Sequence, residues 1–507
     1  MGRTHDACLG ILAASAGLAA GHLAASLVDP ASSPVVAVGA AAIDLAPTPV
    51  KEWAVATFGT ADKPILLGSV LGATLAAAAL IGLLARRRLA LATALLTGLG
   101  LVAGIAALGR PVASPGDAVP AVAALVVGAG VLVGLSRLTR EVAASGRTSA
   151  EGTSAGGVSR RTMVGASLGV AVAAVLAGVA GQVRATTRAV RDRVLPRPTE
   201  PAPPLPAGLE ASVPGISPLQ TPTDRFYRVD VNLAVPRVQL DAWALDVDGM
   251  VARPLRLTFE DLVRLPLVER DITLTCVSNE VGGSYVSSGR WLGVRVSDLL
   301  EAAGLEDAPD QVLSTAVDGF TISTPLAALT DGRDALVAIG LNGSPLPDEH
   351  GFPARLVTPG LYGFVGATKW LRRLTVTTYA AEQAYWTQRQ WATDAPVKTS
   401  ARIDTPTPLT TVAGGRVAVG GVAWAQHRGI ARVEVRVDDG PWRTAQLGPD
   451  IGDDCWRQWY LPWDATPGLH RLAVRATDRD GDVQTAERAT PFPDGSSGIQ
   501  EVVVTVT

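Results

Sequence analysis

Hydrophobic positions along this 507-residue chain change their spacing near residue 183. Before that point apolar residues run almost unbroken through five stretches: Ala7–Val28, Pro64–Ala85, Leu89–Leu108, Ala118–Ser136 and Met163–Val183. Each is long enough to cross a bilayer as a helix, which takes about 20 residues. Their number and uniformity argue against buried helices of a water-soluble fold. A weaker stretch, Pro34–Pro47, is short and interrupted by Asp44, and reads as a loop or re-entrant piece.

Further on, the period shortens to two. Trp243–Gly249 alternates and ends in a turn, and Ile272-Thr273-Leu274-Thr275 alternates and delivers Cys276 to its end. Thr258 followed by Asp261 has capping-box character and predicts a short helix; Ser297–Ala303 predicts another, stopped by Gly304. Short strands mixed with short helices make 224–392 an α+β domain. In 393–507, Val417–Trp424, Ala431–Val437, Trp456–Pro462 and His470–Thr477 alternate between Gly, Pro and Asp turns, the pattern of a small β-sandwich. Residues 191–223 are proline-rich, above all from Leu195 to Thr223, and read as an extended spacer. The expected architecture is therefore a membrane anchor of about five helices over 1–190, a linker, an α+β domain and a sandwich.

Net charge is −3, so nothing argues for nucleic acid. The three cysteines, Cys8, Cys276 and Cys455, are too few for a disulfide framework, and a Cys276–Cys455 bridge would have to join two domains. Cys455, beside Asp453 and Asp454, reads as exposed and incidental. No CxxCH occurs, which argues against covalently attached haem. Only His22 of the five histidines lies in an apolar stretch, so the membrane half reads as an anchor and not a haem carrier. Arg86-Arg87-Arg88 and the group Arg137, Arg140, Arg147, Arg160 and Arg161 place their loops in the cytoplasm together with Arg3, and everything after Val183 outside. Arg184, Arg188, Arg191 and Arg193 run against that orientation. Ser159-Arg160-Arg161-Thr162-Met163-Val164, ahead of the last span, resembles a twin-arginine export signal.

Two stretches carry candidate chemistry. In the first, Cys276 leads into a polar loop (Ser278, Asn279, Glu280, Gly282, Gly283) and then Gly289-Arg290-Trp291-Leu292-Gly293-Val294. A thiol at the mouth of a strand suits a nucleophile or a soft-metal ligand; its bland alternative is a buried apolar filler. In the second, His350-Gly351-Phe352-Pro353-Ala354-Arg355 runs on through Pro359-Gly360 to a glycine-bearing loop ending in Lys369. Backbone N–H groups with Arg and Lys suit a phosphate or another anion; a plain β-turn with solvated cations is the alternative.

Together, Thr275-Cys276 with Gly289–Val294, and His350-Gly351-Phe352-Pro353-x-Arg355-x-x-x-Pro359-Gly360, resemble the sulfite oxidase family. The resemblance covers about Asp224 to the C-terminus. It implies a molybdenum–molybdopterin cofactor, with Cys276 as a metal ligand and His350 and Arg355 contacting the pterin and its phosphate. Gly366, Ala367, Thr368 and Lys369 match the loop that closes on the cofactor. Asp224, Tyr227 and Arg228 match a pterin-touching Asn-x-Phe-Tyr segment of the bacterial reductase branch, with Asp224 departing from its Asn. The sandwich resembles the immunoglobulin-like dimerisation domain of the family, which implies a homodimer; the alternative, in an anchored protein, is that it simply braces the catalytic domain.

Substrate positions depart further. The loop after the cysteine reads Val277-Ser278-Asn279-Glu280, without the family's arginines. Trp386-Thr387-Gln388-Arg389-Gln390-Trp391 puts Trp391 where the family's active-site tyrosine would stand and keeps Arg389 as an anion or pterin contact. The reading is thus a molybdenum oxidoreductase anchored in the cytoplasmic membrane and facing outward, acting on a small molecule other than sulfite. It would pass electrons to a separate partner. The competing readings are a non-catalytic surface or binding protein built on a degenerate fold, and a hydrolase with a cysteine nucleophile.

Overall fold

The computed structural model describes residues 3–47, 50, 53–54, 57–58, 61–110, 113–148, 160–186 and 195–507; Ser159, Arg188, Arg191 and Arg193 lie outside them. The chain divides into two compact units, Met1–Val190 with Asp230–Arg237 and Arg191–Val229 with Val238–Thr507.

The first unit contains helices α1 (Arg3–Ala25), α2 (Pro34–Leu45), α3 (Asp62–Ala85), α4 (Leu89–Leu108), α5 (Val119–Thr148) and α6 (Arg160–Thr186). Five apolar helical segments, in all of these but α2, are long enough to cross a membrane. The loop reading of Pro34–Pro47 is corrected, because Pro34 falls in the first turn of α2, where its missing N–H costs nothing, and Asp44 falls in the last. With 12 residues, α2 is about 18 Å long, short of a span. Small residues let α1 pack closely on three neighbours. A Cβ on Gly10 would lie 1.9 Å from the Ala78 carbonyl oxygen of α3, and one on Gly17 2.5 Å from that of Ala124 in α5. A Cβ on Gly181 of α6 would lie 2.8 Å from the His22 ring. Such contacts, and not hydrophobicity, select helix partners among lipid tails.

In the second unit, strands β1 (Ala244–Gly249), β2 (Leu255–Thr258), β3 (Val268–Thr275), β4 (Val286–Arg295), β5 (Gln311–Ala316) and β6 (Thr321–Pro325) precede β7 (Leu336–Leu341), β8 (Ser344–Pro345), β9 (Arg355–Val357) and β10 (Leu371–Thr377). One sheet orders β2-β1-β10-β5-β6; the other orders β3-β4-β7-β8, with β9 also paired to β7. Short helices α7 (Phe259–Leu262) and α8 (Val296–Ala303) form where the sequence predicts them, α7 with the Thr258–Asp261 capping box and α8 capped by Gly304 at φ +71°.

The sandwich follows. One of its sheets orders Ser400–Thr405, Gly415–Trp424, Arg457–Ala465 and Gln446–Leu447; the other orders Thr411–Val412, Gln500–Val506, Gly468–Asp478, Ile430–Val437 and Arg443–Thr444. Their inner faces share one core that includes Val419, Val433, Trp459, Val474 and Val504. Cys455 is buried here, against the expectation of exposure, and all three cysteines are free.

Strand β3 is an edge strand, so its outward N–H and C=O groups need partners. Near its start the proline-rich segment supplies them: Glu200 N–H donates to the Leu267 carbonyl and Glu269 N–H to the Glu200 carbonyl. Glu200 also joins Arg270, Arg295 and Asp334 in one ion network. Val213, Ile216 and Leu219 are buried, and Thr221 N–H donates to the Ser288 carbonyl. The segment is therefore tied down at both ends, near Glu200 and over 213–221, with a largely exposed stretch between, which corrects the spacer reading. Proline's missing N–H is no obstacle where a segment has only one side to satisfy.

Candidate cofactor site around Cys276

Cys276 follows the last residue of β3 and continues its ladder, donating its N–H to the Tyr285 carbonyl at 2.9 Å. The chain then turns tightly. Asn279 N–H returns to the Cys276 carbonyl at 3.0 Å, and the buried Asn279 side chain accepts the Tyr285 N–H at 2.8 Å. The Ser496 hydroxyl donates to the Asn279 carbonyl at 2.6 Å, and Arg402 to that of Gly283 at 2.8 Å. Both donors come from the sandwich side, so the loop beside the thiol is held from two domains. The half-buried Cys276 Sγ lies 2.9 Å from Ser278 Oγ. Burial pushes the thiol above its ordinary range, and the Ser278 hydrogen bond opposes that. A bound cation would favour the thiolate that a soft metal requires.

His350 ends a short 3₁₀ turn, and Gly351 takes the left-handed conformation at φ +106° that reverses the chain into Arg355. Arg355 is 6% exposed, yet no carboxylate among the described residues pairs with it. Its guanidinium donates to the carbonyls of His350 and Ala367, both at 3.2 Å, and lies 5.2 Å from the Trp291 ring centre. Burial lowers its pKa to about 10. Phe226 packs edge-on against both Trp291 and His350, at 5.5 and 5.6 Å. Burial, reinforced by Arg355, lowers His350 to about 4, so the imidazole is neutral at pH 7.

The glycine-bearing loop is strapped to β9. Leu356 N–H donates to the Thr368 carbonyl at 2.8 Å and Thr358 N–H to the Gly366 carbonyl at 3.0 Å. A Cβ on Gly366 would meet Thr358 Cβ at 2.9 Å, which explains the glycine. Thr368 is buried and bonded to Ser314; Lys369 Nζ donates to the Glu349 carbonyl at 3.3 Å. Tyr227 bridges the two stretches: its ring stacks on Phe226 at 5.7 Å and lies 6.4 Å from that of Tyr285, whose carbonyl accepts the Cys276 N–H. The Tyr227 N–H donates to Ser287 Oγ at 3.1 Å, and burial raises the Tyr227 pKa far above the usual range.

The predicted residues thus separate into groups. Cys276, Tyr227, His350, Arg355 and the 366–369 loop form one neighbourhood. Asp224 and Arg228 are exposed at its margin. Arg389 and Trp391 belong to a neighbouring aromatic cluster. Arg389 lies 3.5 Å from the Tyr385 ring centre, and Trp391 touches Trp386, Phe364 and Phe492 at 5.3–5.6 Å. Several neighbours of the centre escape sequence reasoning. Phe226 and Trp291 sit inside motifs but look like packing residues. Tyr362 is buried near Cys276 with its pKa pushed up to about 12 by burial. Gln426 reaches Thr275 from 151 positions away, and no local signal could announce it.

A buried guanidinium with no counter-charge fits an anionic group such as a phosphate. A single thiol fits a metal whose other donors arrive with a cofactor: among the described residues no three His, Cys, Asp or Glu side chains are grouped to hold a metal. The residues present therefore fit a metal carried on a phosphorylated organic ligand.

Comparison with known proteins agrees. Residues 232–386, which include Cys276, His350, Arg355 and Lys369, match the family model of the oxidoreductase molybdopterin binding domain. The mitochondrial sulfite oxidase of Homo sapiens is 31% identical over 317 residues, covering 52% of this chain and 57% of that protein. The mitochondrial sulfite oxidase of Rattus norvegicus is 31% identical over 292 residues, covering 48% and 52%. NADH nitrate reductase 1 of Oryza sativa subsp. japonica is 34% identical over 179 residues, covering 30% and 19%. The chain spans about half the length of these sulfite oxidases. The crystal structure of the sulfane dehydrogenase SoxCD from Paracoccus pantotrophus aligns with a TM-score of 0.50 at 25% identity, over 57% of this chain and 84% of that one.

Proposed function

We propose that this chain carries a sulfite-oxidase-family oxidoreductase domain whose cofactor is molybdenum–molybdopterin, and that it is a membrane-anchored enzyme acting on a small molecule other than sulfite. The observation that carries the assignment is the convergence of Cys276, Tyr227, His350 and an Arg355 guanidinium without a carboxylate partner among the described residues, linked through Phe226, Trp291 and Tyr285.

When bound, the molybdenum centre supplies two-electron oxygen-atom transfer to or from the substrate. Cys276 ligates the metal through its thiolate. Arg355 and Lys369 offset the phosphate charge, while neutral His350 and the Gly366-Ala367-Thr368 backbone hold the pterin. Tyr227, with Asp224 and Arg228 beside it, closes the pterin side. Arg389 and Trp391 act at the substrate mouth. The loop after Cys276 supplies Ser278 and an exposed Glu280 where a sulfite site needs cations, which supports a substrate that is not a small oxyanion.

The five apolar helices anchor the enzyme in the cytoplasmic membrane, with the basic loops inside and the catalytic domain outside. The twin-arginine-like Arg160-Arg161 is the export signal. Electrons pass singly to a separate carrier. The sandwich is an immunoglobulin-like domain of the dimerisation type.

The test uses the full chain in membranes of a host that makes molybdopterin. Sulfite oxidation with a one-electron acceptor is compared with dye-driven reduction of uncharged sulfoxides and N-oxides. The proposal expects sulfite to be disfavoured at least about 100-fold in kcat/KM. Sulfite turnover as good as that of the uncharged compounds would overturn it.

A further inference from the structure

Strand β3 is capped along its outer edge near Cys276 by the sandwich. Thr273 sends every polar group there: its N–H donates to the Asp454 carbonyl at 2.9 Å, its Oγ1 accepts the Trp456 N–H at 2.8 Å, and its carbonyl accepts Gln426 Nε2 at 3.2 Å. The same Gln426 nitrogen donates to Thr275 Oγ1 at 2.7 Å. Gln426 is fully buried. Only an NH2 can face a carbonyl, so Thr273 fixes which way the amide points. Its Oε1 is left buried without a partner among the described residues. A buried polar group kept at that cost asks for an explanation beyond packing.

We infer that Gln426 is a positioning residue for Cys276, its amide gripping the last turn of pleat before the thiol and so setting the direction in which the thiolate meets the metal. The inference rests on the molybdenum reading of this site. A ligand's outer partners normally fix its orientation, and their loss weakens the metal about 10- to 100-fold. Here Gln426 acts through the backbone and hydroxyl of the preceding residues and not on the sulfur itself. The sandwich then does more than brace or dimerise: it supplies one wall of the frame around the metal ligand.

Three variants of the full-length, metal-loaded protein test this. Gln426→Met keeps the length and removes the donor. Thr275→Val removes the acceptor from the other side with little change in shape. Gln458→Met removes an equally buried sandwich glutamine whose amide bonds to Glu210 and Ser217 instead. Molybdenum per chain, the Mo(V) paramagnetic resonance signal and the rate of metal loss are read for each. Gln426→Met and Thr275→Val should shift or split the Mo(V) signal and release metal about tenfold faster, while Gln458→Met keeps the parent signal whatever its stability. If Gln426→Met fails to fold, Thr275→Val decides alone. Parent-like signals and release rates in the loaded Gln426→Met and Thr275→Val proteins would overturn the inference. A parent protein without molybdenum would instead overturn the cofactor reading on which it stands.

Discussion

The Arg355 guanidinium lies over the Trp291 indole, 5.2 Å from its centre, with no acid side chain among the described residues to balance it. A buried charge left in that state destabilises the chain until an anion arrives. Arg355→Met should therefore leave the cofactor-free protein as stable as the parent or more so. Its cofactor affinity should fall about 30-fold, the loss of roughly 2 kcal/mol expected for charge-assisted bonds to phosphate. Thermal unfolding and pterin content measure the two effects separately. A variant that unfolds early yet loads normally would refute this role for Arg355.

His350 adds a pH dependence. Burial and Arg355 hold it near 4, whereas an unfolded chain's histidine titrates near 6.5. Between those values the unfolded chain binds a proton that the folded one refuses. Stability from this group is therefore complete above about pH 6.5 and falls as pH drops toward 4, by up to about 3 kcal/mol. In cofactor-free protein, His350→Gln should show a smaller loss of stability than the parent between about pH 7 and 4.5. An unchanged slope would mean that His350 titrates normally.

Much of this was legible in the sequence. Period-two runs placed β1 and the end of β3, and Thr258 and Gly304 bounded two helices, because those signals are local. The Cys276 and His350–Arg355 motifs were legible for the same reason. What escaped were contacts made across the fold. Proline content suggested a spacer, but residue spacing does not reveal that β3 has an open edge for Glu200 to cap. Cys455 looked exposed because acids precede it, although its own side chain turns inward beside Ser288.

Glu200 tests that edge. Its carboxyl is held down to about 2 by hydrogen bonds from Arg295 and then Arg270. Glu200→Gln should loosen residues 195–203 and speed proteolysis there at neutral pH, with little change in global unfolding. The parent should show the same loosening only as pH falls from about 4.5 toward 2, where the carboxylate protonates. Equal cleavage of parent and variant at neutral pH would contradict the capping role.

In the helical unit, Gly82→Leu should destabilise the detergent-solubilised protein by about 1–3 kcal/mol. A Cβ there would lie 2.3 Å from the Asp6 carbonyl oxygen, forcing α1 from α3. Gly68→Leu, with nothing within 4 Å of its Cβ position, should be tolerated. Comparable melting of the two variants would count against the close α1–α3 contact.

The most direct measurement is molybdenum per chain, by elemental analysis with pterin fluorescence, on full-length protein from a molybdopterin-making host. Parent and Cys276→Ser are compared. About one molybdenum per chain in the parent, with metal lost or its Mo(V) signal altered in Cys276→Ser, is the predicted result. A folded parent with neither metal nor pterin would contradict the account, leaving an anchored binding protein in place of an enzyme.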